Sequence, residues 1–484
     1  MTKSNFITIS MLILGICVIF YIQFLTPTLY GADGYLHIRM AEFLRDLGPR
    51  YDFHWARYST FSTNFSDKDF LFHLILIPFT FFKDIFFGAK TAAALFASFL
   101  LLAYYLLLKK YVHRALVPFF LAIFFLSDMF LETISRPRPI SLVILATLVS
   151  IHLMIRKRYC LLFLLAVLYS LGHVTSPLII LYAVIVEIVR YIEKKEFYSK
   201  NIIAAFSGVL IGFLIHPDFP NNFMVFYLNS ILVPLYTIKT GVLELGAEFF
   251  PLNTRQFLLG YPAVIAGLIL LIFVSLTKRP KPRFETNVFL TMSAVFFVLS
   301  FICRRYLQHG YLIMLIALGS YFSDAMQNKA LTKKIIALAM ITITVLGFNS
   351  YKAVRYNALV SRILNTHYEQ FGNWMKDNIP RGELIFHANW SDSQYFIGIN
   401  PDNDYFVTLD PVYMYYRDPE LYSLYRNAAF GRLRDPYAAL KDTFHVRYGY
   451  VSKNYFSGLV NQIRLDRRFT ILKEDNLGII FKLT

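Results

Sequence analysis

Long apolar runs alternate with short basic ones along the first 354 residues of this chain. The apolar stretches lie near 5–25, 89–108, 115–131, 139–155, 159–172, 177–190, 202–216, 258–277, 285–303, 306–325 and 335–353. About 20 residues of helix cross roughly 30 Å of hydrocarbon, so the pattern predicts a polytopic α-helical membrane protein with about eleven transmembrane helices. Between the runs stand Lys109, Lys110 and Arg114, then RKR at 156–158, then Arg190, Lys194, Lys195 and Lys200. KRPKPR at 278–283 and Lys329, Lys333 and Lys334 follow. Basic flanks stay in the cytoplasm, and the parity of the loops then closes only if 70–87 does not cross. That segment, FLFHLILIPFTFFKDIFF, holds Pro78, Lys83 and Asp84 and predicts a helix lying at the outer interface. The N-terminus is then inside and the C-terminus outside.

From about residue 355 the pattern changes. Polar residues are interspersed throughout, NTHYEQFGNWMKDN reads as helix, and GELIFHA, YFVTL and VRYGYVS read as strands. SGLVNQIRLD reads as a helix and FTILKEDNLGIIFKL as a hairpin turning at Asn476–Gly478. The expected organisation is a transmembrane domain over 1–354, with a long first outer loop at 26–88, and a small extracytoplasmic α/β domain over 355–484.

Composition sharpens this picture. The 484 residues are 56% hydrophobic and only 16% charged, and mean hydropathy is +0.49. The net charge of +17 could suggest nucleic acid, but the Lys and Arg collect in short loops, so membrane flanks and lipid headgroups explain the charge and no nucleic-acid partner is expected. Cys17, Cys160 and Cys303 lie in or at the end of apolar runs, which implies neither a disulfide framework nor a metal knuckle. The first apolar run is too long for a signal-peptide core and no small-x-small site follows it, so it reads as a retained first span.

The outer side collects the unusual residues. GADGYLHIRMAE at 31–42 packs Asp33, Tyr35, His37, Arg39 and Glu42 into ten residues directly after the first span. Leu36, Met40, Phe43 and Leu44 give the same segment an apolar face at helical spacing, so one reading is simply an amphipathic interface helix. FSDKDFLFH places Asp67 and Asp69 before the interfacial segment, Asp67 serving either as a helix cap or in a site. SDMFLETISRPRP at 127–139 brings Glu132, Arg136 and Arg138, and RRYLQHG brings Arg304, Arg305, Tyr306 and His309, two arginines on the side where the charge rule disfavours them. His173 and His216 stand at outer span ends, where polar caps are the simpler explanation than metal binding. There is no HExxH, so zinc is not expected, and no Walker or GxGxxG loop, so no nucleotide site is expected.

The D-x-Y-x-H-x-R-x-x-E run after the first span resembles the first acidic motif of the GT-C class of membrane glycosyltransferases, closest to the oligosaccharyltransferase catalytic subunits. GAEFFPLNT at 246–254, with Glu248, resembles the fifth-outer-loop motif of that class. Asn389, Trp390, Ser391 and Asp392 resemble a degraded W-W-D-x-G motif, without the glycine, at the start of the soluble domain. The resemblance implies a sugar transferred from a polyprenyl phosphate or pyrophosphate, with inversion, to a glycan, lipid or protein acceptor. The loss of that glycine puts protein N-glycosylation in doubt and leaves room for a sugar or lipid acceptor. It implies Asp33 as the base, or as a ligand if Mg²⁺ or Mn²⁺ takes part, a choice the sequence leaves open. Tyr35, His37, Arg39 and Glu132 would support that centre. Arg136, Arg138, Arg304, Arg305, Tyr306 and His309 would hold the donor phosphate. Asp67, Asp69, Glu248, Trp390 and Asp392 would serve the acceptor or a supporting shell. The alternatives are whole-glycan transfer or polymerisation, and, outside enzymes, a lipid or sugar transporter or flippase. Transporters usually show internal repeats with charges in broken helices. No repeat is visible here.

Overall fold

The computed structural model describes residues 3–238, 242–278, 281–325 and 333–484; Arg279 and Lys329 of the expected basic flanks lie outside them. The chain forms two compact units. The first comprises Met1–Tyr30, Lys90–Ile215 and Ala247–Val360; the second comprises Gly31–Ala89, His216–Gly246 and Ser361–Thr484.

The first unit is helical. Phe6–Gln23 and Ile85–Tyr111, the latter starting in the second unit, are each long and apolar enough to cross a membrane. Two expected spans are bent. The run at 115–131 divides into Val117–Ile123 and Asp128–Ser135, which meet at 74°. Ser127 breaks the run by capping the second helix, its hydroxyl accepting from the Phe130 amide at 3.2 Å. The run at 258–277 bends by 87° between Thr254–Gly260 and Pro262–Leu276. Asn253 and Gln256 form a capping box there, and Pro262 starts the next helix where its missing amide costs nothing. Counting each bent pair as one span gives four helices of spanning length among the described residues. Ile140–Ile155, Tyr159–Gly172, Ser199–Leu214 and Phe284–Ser300 are apolar but shorter.

Close helix packing comes from small residues. Gly208 and Gly212 lay Ser199–Leu214 onto Tyr159–Gly172 so tightly that a Cβ at Gly208 would stand 2.6 Å from the Phe163 carbonyl oxygen. Arg190, read as a free cytoplasmic flank charge, is instead 1% exposed. Its guanidinium donates to Glu187 at 3.0 Å and to the Met154 carbonyl at 3.1 Å. Asn201 and the Tyr198 amide complete the shell around Glu187 at 2.5 and 2.8 Å.

The second unit holds a five-stranded mixed sheet. Its strands are β1 (Leu384–His387), β2 (Asp404–Tyr405), β3 (Tyr448–Ser452), β4 (Phe469–Glu474) and β5 (Gly478–Leu483), in the order β2-β1-β3-β5-β4. β1 pairs in parallel with β2 and β3, and β5 pairs antiparallel with β3 and β4. Asp475 closes the β4–β5 turn by accepting from the Leu477 and Gly478 amides at 2.7 and 2.9 Å. The expected strand at 405–409 shrinks to β2 because other groups take its backbone. The Tyr405 amide donates to the Trp55 carbonyl at 2.7 Å, the Phe406 amide to His387 Nε2 at 3.1 Å, and the Tyr58 amide to the Phe406 carbonyl at 2.9 Å. The long helix Lys333–Asn378 runs into this unit, and Ser457–Leu465 forms as expected.

The segment at 31–42 begins the helix Asp33–Leu47, whose face Leu36, Met40, Phe43 and Leu44 is buried. Asp392–Ile399 packs across it at Gly398, where a Cβ would come 2.6 Å from the Tyr35 carbonyl. Arg39 Nε donates to the Gly398 carbonyl at 2.9 Å, which fixes the crossing.

Candidate functional site

Each unit carries one cluster of the expected chemistry. In the second unit Asp33 opens its helix, partly exposed in the first turn, where the helix N-terminus favours a negative charge. Tyr35 is fully buried and donates to Glu369 at 2.5 Å. Arg39 pairs with Glu42. One turn beyond Asp33, His37 is 6% exposed, and its Nδ1 lies 2.8 Å from Nε2 of His73. His73 Nδ1 lies 2.6 Å from Asp67 Oδ2. Asp67 does not cap the helix Phe70–Leu76; the capping position belongs to Asp69, without a side-chain cap bond. The other Asp67 oxygen accepts from the Asp69 amide at 3.0 Å. The Asp67 amide donates to Asp218 at 2.8 Å, and His216 Nε2 donates to the Asp67 carbonyl at 3.1 Å.

The electrostatics follow from burial. Asp69 is pushed up to about 6 by burial, with Lys68 and His73 opposing and the charges of Asp67 and Asp33 adding. Asp218 is likewise raised to about 6, mainly by burial. Burial lowers His216, so it stays neutral at ordinary pH. His73 and Asp218 were not singled out in the sequence; the signal was an Asp six residues before a His, straddling a helix start. Among the described residues no group of three or more His, Cys, Asp or Glu is arranged to hold a metal ion. Asp67 is already engaged by His73 and by the Asp69 amide.

Trp390 and Asp392 sit elsewhere in this unit. Trp390 Nε1 donates to the Glu244 carbonyl at 2.6 Å. Asp392 is 1% exposed and accepts from the Tyr368 hydroxyl at 2.6 Å. Burial pushes its carboxyl up to about 7, with the Tyr368 hydroxyl opposing. For a carboxyl raised on folding, stability is full below about pH 4 and falls as pH rises toward 7. Asp392→Asn keeps the acceptor oxygen and removes the charge. It is expected to raise the thermal midpoint at pH 8, by an amount corresponding to at most about 4 kcal/mol, and to match the wild type near pH 4. Turnover lost without any change in that midpoint would instead give Asp392 a direct role toward the acceptor.

In the first unit the arginines gather around Glu248. Arg305 Nη2 donates to Glu248 Oε1 at 2.5 Å and its guanidinium lies 4.1 Å from the centre of the Phe249 ring. Burial opposes ionisation of Glu248, but Arg305, Arg138 and Arg136 outweigh it and hold the carboxylate well below its ordinary range. Arg136 also pairs with Glu132 at 2.5 Å, and Asn357 reaches the other Glu132 oxygen at 3.4 Å. The Arg304 amide donates to the Phe250 carbonyl at 3.1 Å, which ties the start of Arg305–Ala325 to the loop carrying Glu248. Tyr306 is half-buried and His309 is 6% exposed. The unit therefore carries a dense cationic patch preorganised by two carboxylates, suited to a phosphate or another anion.

No protein-family model matches the sequence, and no curated protein matches it. Solved structures do. An Archaeoglobus fulgidus oligosaccharyltransferase in the apo form superposes with TM-score 0.67 at 11% identity, covering 92% of this chain and 69% of that one. The same organism's oligosaccharyltransferase AglB, solved with an inhibitory peptide and a dolichol-phosphate, gives 0.63 at 10%, over 94% and 72%. ArnT from Cupriavidus metallidurans, solved bound to undecaprenyl phosphate, gives 0.63 at 10% identity over 99% of this chain and 98% of that one. These are GT-C glycosyltransferases, and the fold is theirs.

Proposed function

We propose that this chain, built on the GT-C fold, is an integral-membrane glycosyltransferase that moves a sugar from a polyprenyl-phosphate donor to a glycan, lipid or protein acceptor on the outer face. The observation that carries the reading is the pairing of fold with chemistry: an aspartate on the helix after the first span, and an arginine patch around Glu248 in the other unit. Structures sharing this fold were solved with dolichol-phosphate and undecaprenyl phosphate, and one oligosaccharyltransferase with zinc and sulfate. A lipid phosphate is a good leaving group, so the chain's own work is to activate the acceptor hydroxyl and stabilise the departing phosphate. Asp33 takes the hydroxyl proton; Arg304, Arg305, Arg136 and Arg138 hold the phosphate. The oxygen attacks the sugar's anomeric carbon from the face opposite the phosphate and inverts it.

The test is transfer of labelled sugar from polyprenyl phosphate by purified protein, with candidate acceptors added in turn. Lipid movement across vesicles without transfer would favour the flippase alternative. The proposed topology has the N-terminus inside, about eleven crossings, and residues after about 355 outside. A C-terminal reporter active only in the outer compartment is expected, and one active only in the cytoplasm would overturn the orientation.

A further inference from the structure

In the first unit an apolar groove of about 400 Å³ runs along the helix Lys3–Gln23. Met11 and Ile22 line it from that helix, Leu121 and Leu131 from the bent pair Val117–Ile123 and Asp128–Ser135, and Ile343 and Val354 from the long helix Lys333–Asn378. Met11 to Ile22 and Ile343 to Val354 each cover about 16 Å of helix. A hydrocarbon core of about 30 Å gives each leaflet about 15 Å, so the groove is one leaflet long. Its volume over that length leaves a mean section of about 24 Å². An α-helix with side chains is about 10–12 Å across and needs roughly three times that section or more. The groove has the section of a single unbranched hydrocarbon chain.

A cation stands beside it. Tyr21 and Tyr351 also line the groove, each about half-exposed, and both hydroxyls accept from the Arg355 guanidinium. Lys352 follows Tyr351, its Nζ 4.5 Å from the centre of the Phe348 ring. Tyrosines with cations beside them mark headgroup depth, the rings in hydrocarbon and the polar tips in water. On the proposed topology this is the outer side, beyond the last apolar run at 335–353. The two hydroxyls aim the Arg355 charge without neutralising it, so an anion arriving there meets a donor already in place.

We propose that the groove holds one chain of an anionic phospholipid of the outer leaflet, with the lipid phosphate on Arg355 and Lys352. Length and section select a straight chain, and the charge selects the headgroup. A polyprenyl chain, methyl-branched at each unit and longer than a leaflet, fits neither measure. The cations that hold Glu248 are Arg305, Arg138 and Arg136, a different set. The site needs a bilayer around these helices but no sugar transfer.

Gly347 is the place to close the groove. It lines the groove, and a Cβ there would meet nothing nearer than Leu126 at 3.7 Å. Gly347→Leu therefore sends a side chain into the groove without pressing on backbone. The experiment takes the full chain in detergent, adds phosphatidylglycerol or phosphatidylcholine with identical chains, and weighs the intact complexes by native mass spectrometry, with thermal midpoints in parallel. The wild type is expected to keep phosphatidylglycerol in preference to phosphatidylcholine and to melt higher with it, as a ligand of the folded state requires. Gly347→Leu should hold one phosphatidylglycerol fewer and lose that gain. Arg355→Gln should weaken phosphatidylglycerol about fivefold, as loss of one cation at a lipid surface does, and leave phosphatidylcholine unchanged. Should Gly347→Leu not fold, Arg355→Gln decides, since that side chain is exposed. Equal retention of the two lipids by the wild type, or phosphatidylglycerol held undiminished by the variants, would overturn the site. So would displacement of the held phospholipid by polyprenyl phosphate, which gives the groove to the donor, or a wild-type dimer that Gly347→Leu splits, which gives it to a second copy.

Discussion

Replacing Asp33 with asparagine is expected to lower turnover by about 10²-fold or more, as loss of a general base does, with folding almost untouched. The side chain is partly exposed at the start of its helix. Losing the charge there costs its favourable interaction with the helix N-terminus, about 0.3–1 kcal/mol. Asparagine is nearly isosteric but cannot take the acceptor's proton. Asp46→Asn is the control: that carboxylate sits on the same helix, half-exposed and paired with Arg45 at 2.6 Å. Transfer by the purified variants, beside a thermal curve for each, separates the outcomes. Wild-type turnover in Asp33→Asn, or loss only through unfolding, would return the helix to the role of an amphipathic interface element.

Arg305→Ala is expected to weaken use of the donor by roughly 10²- to 10³-fold in kcat/KM, since a cation on a transferring phosphate is worth about 3–4 kcal/mol where water is excluded. Arg305 is held by Glu248 and by the Phe249 ring, so its fork is aimed before the donor arrives. Arg305→Lys should recover part of the loss, because the charge returns without the planar fork. Glu248→Gln would leave the cation loosely held and should raise KM more than it lowers kcat. Arg304→Ala is the parallel case. Unchanged kinetics in both alanine variants would move the phosphate to Arg136 and Arg138, which also act on Glu248.

The apolar runs were legible because a bilayer demands length and hydrophobicity and little else. The bends were not, because hydropathy averages over the few residues that make them: Ser127 as a cap, and Tyr261–Pro262 as a break. The G-x-x-x-G at Gly208 and Gly212 was in plain view and predicts close packing. Strands β1 and β3 and the β4–β5 hairpin followed from short runs rich in β-branched and aromatic residues, the hairpin from its turn at Asn476–Gly478. The run at 405–409 is just as rich in strand-forming residues, but the segment around Trp55 and the His387 ring claim its hydrogen bonds, and long-range competition leaves no local trace. In the second unit's cluster, Asp33, His37, Asp67 and Asp69 announced themselves as polar residues in a greasy chain. His73 hid among the aromatics of FLFHLILIPF, and Asp218 in a loop with no motif. The reach of Arg136 and Arg138 to Glu248 joins loops more than a hundred residues apart, and only the folded helices bring them together.

The buried pair of Glu187 and Arg190 also bears on how the protein is made. The two residues stand three apart on the helix Leu178–Lys194, so they can meet as soon as that helix forms, before any later segment has emerged from the ribosome. A lone arginine entering the bilayer costs about 2.5–3.5 kcal/mol at the centre of a helix. One that brings its counter-ion presents a neutral dipole to the insertion machinery. Met154 precedes the pair in the chain and Asn201 follows it, so the Met154 carbonyl is already available and the Asn201 amide arrives with the next helix. The pair is therefore a charge carried through biogenesis in compensated form, and the order of synthesis matches the order in which its partners are needed.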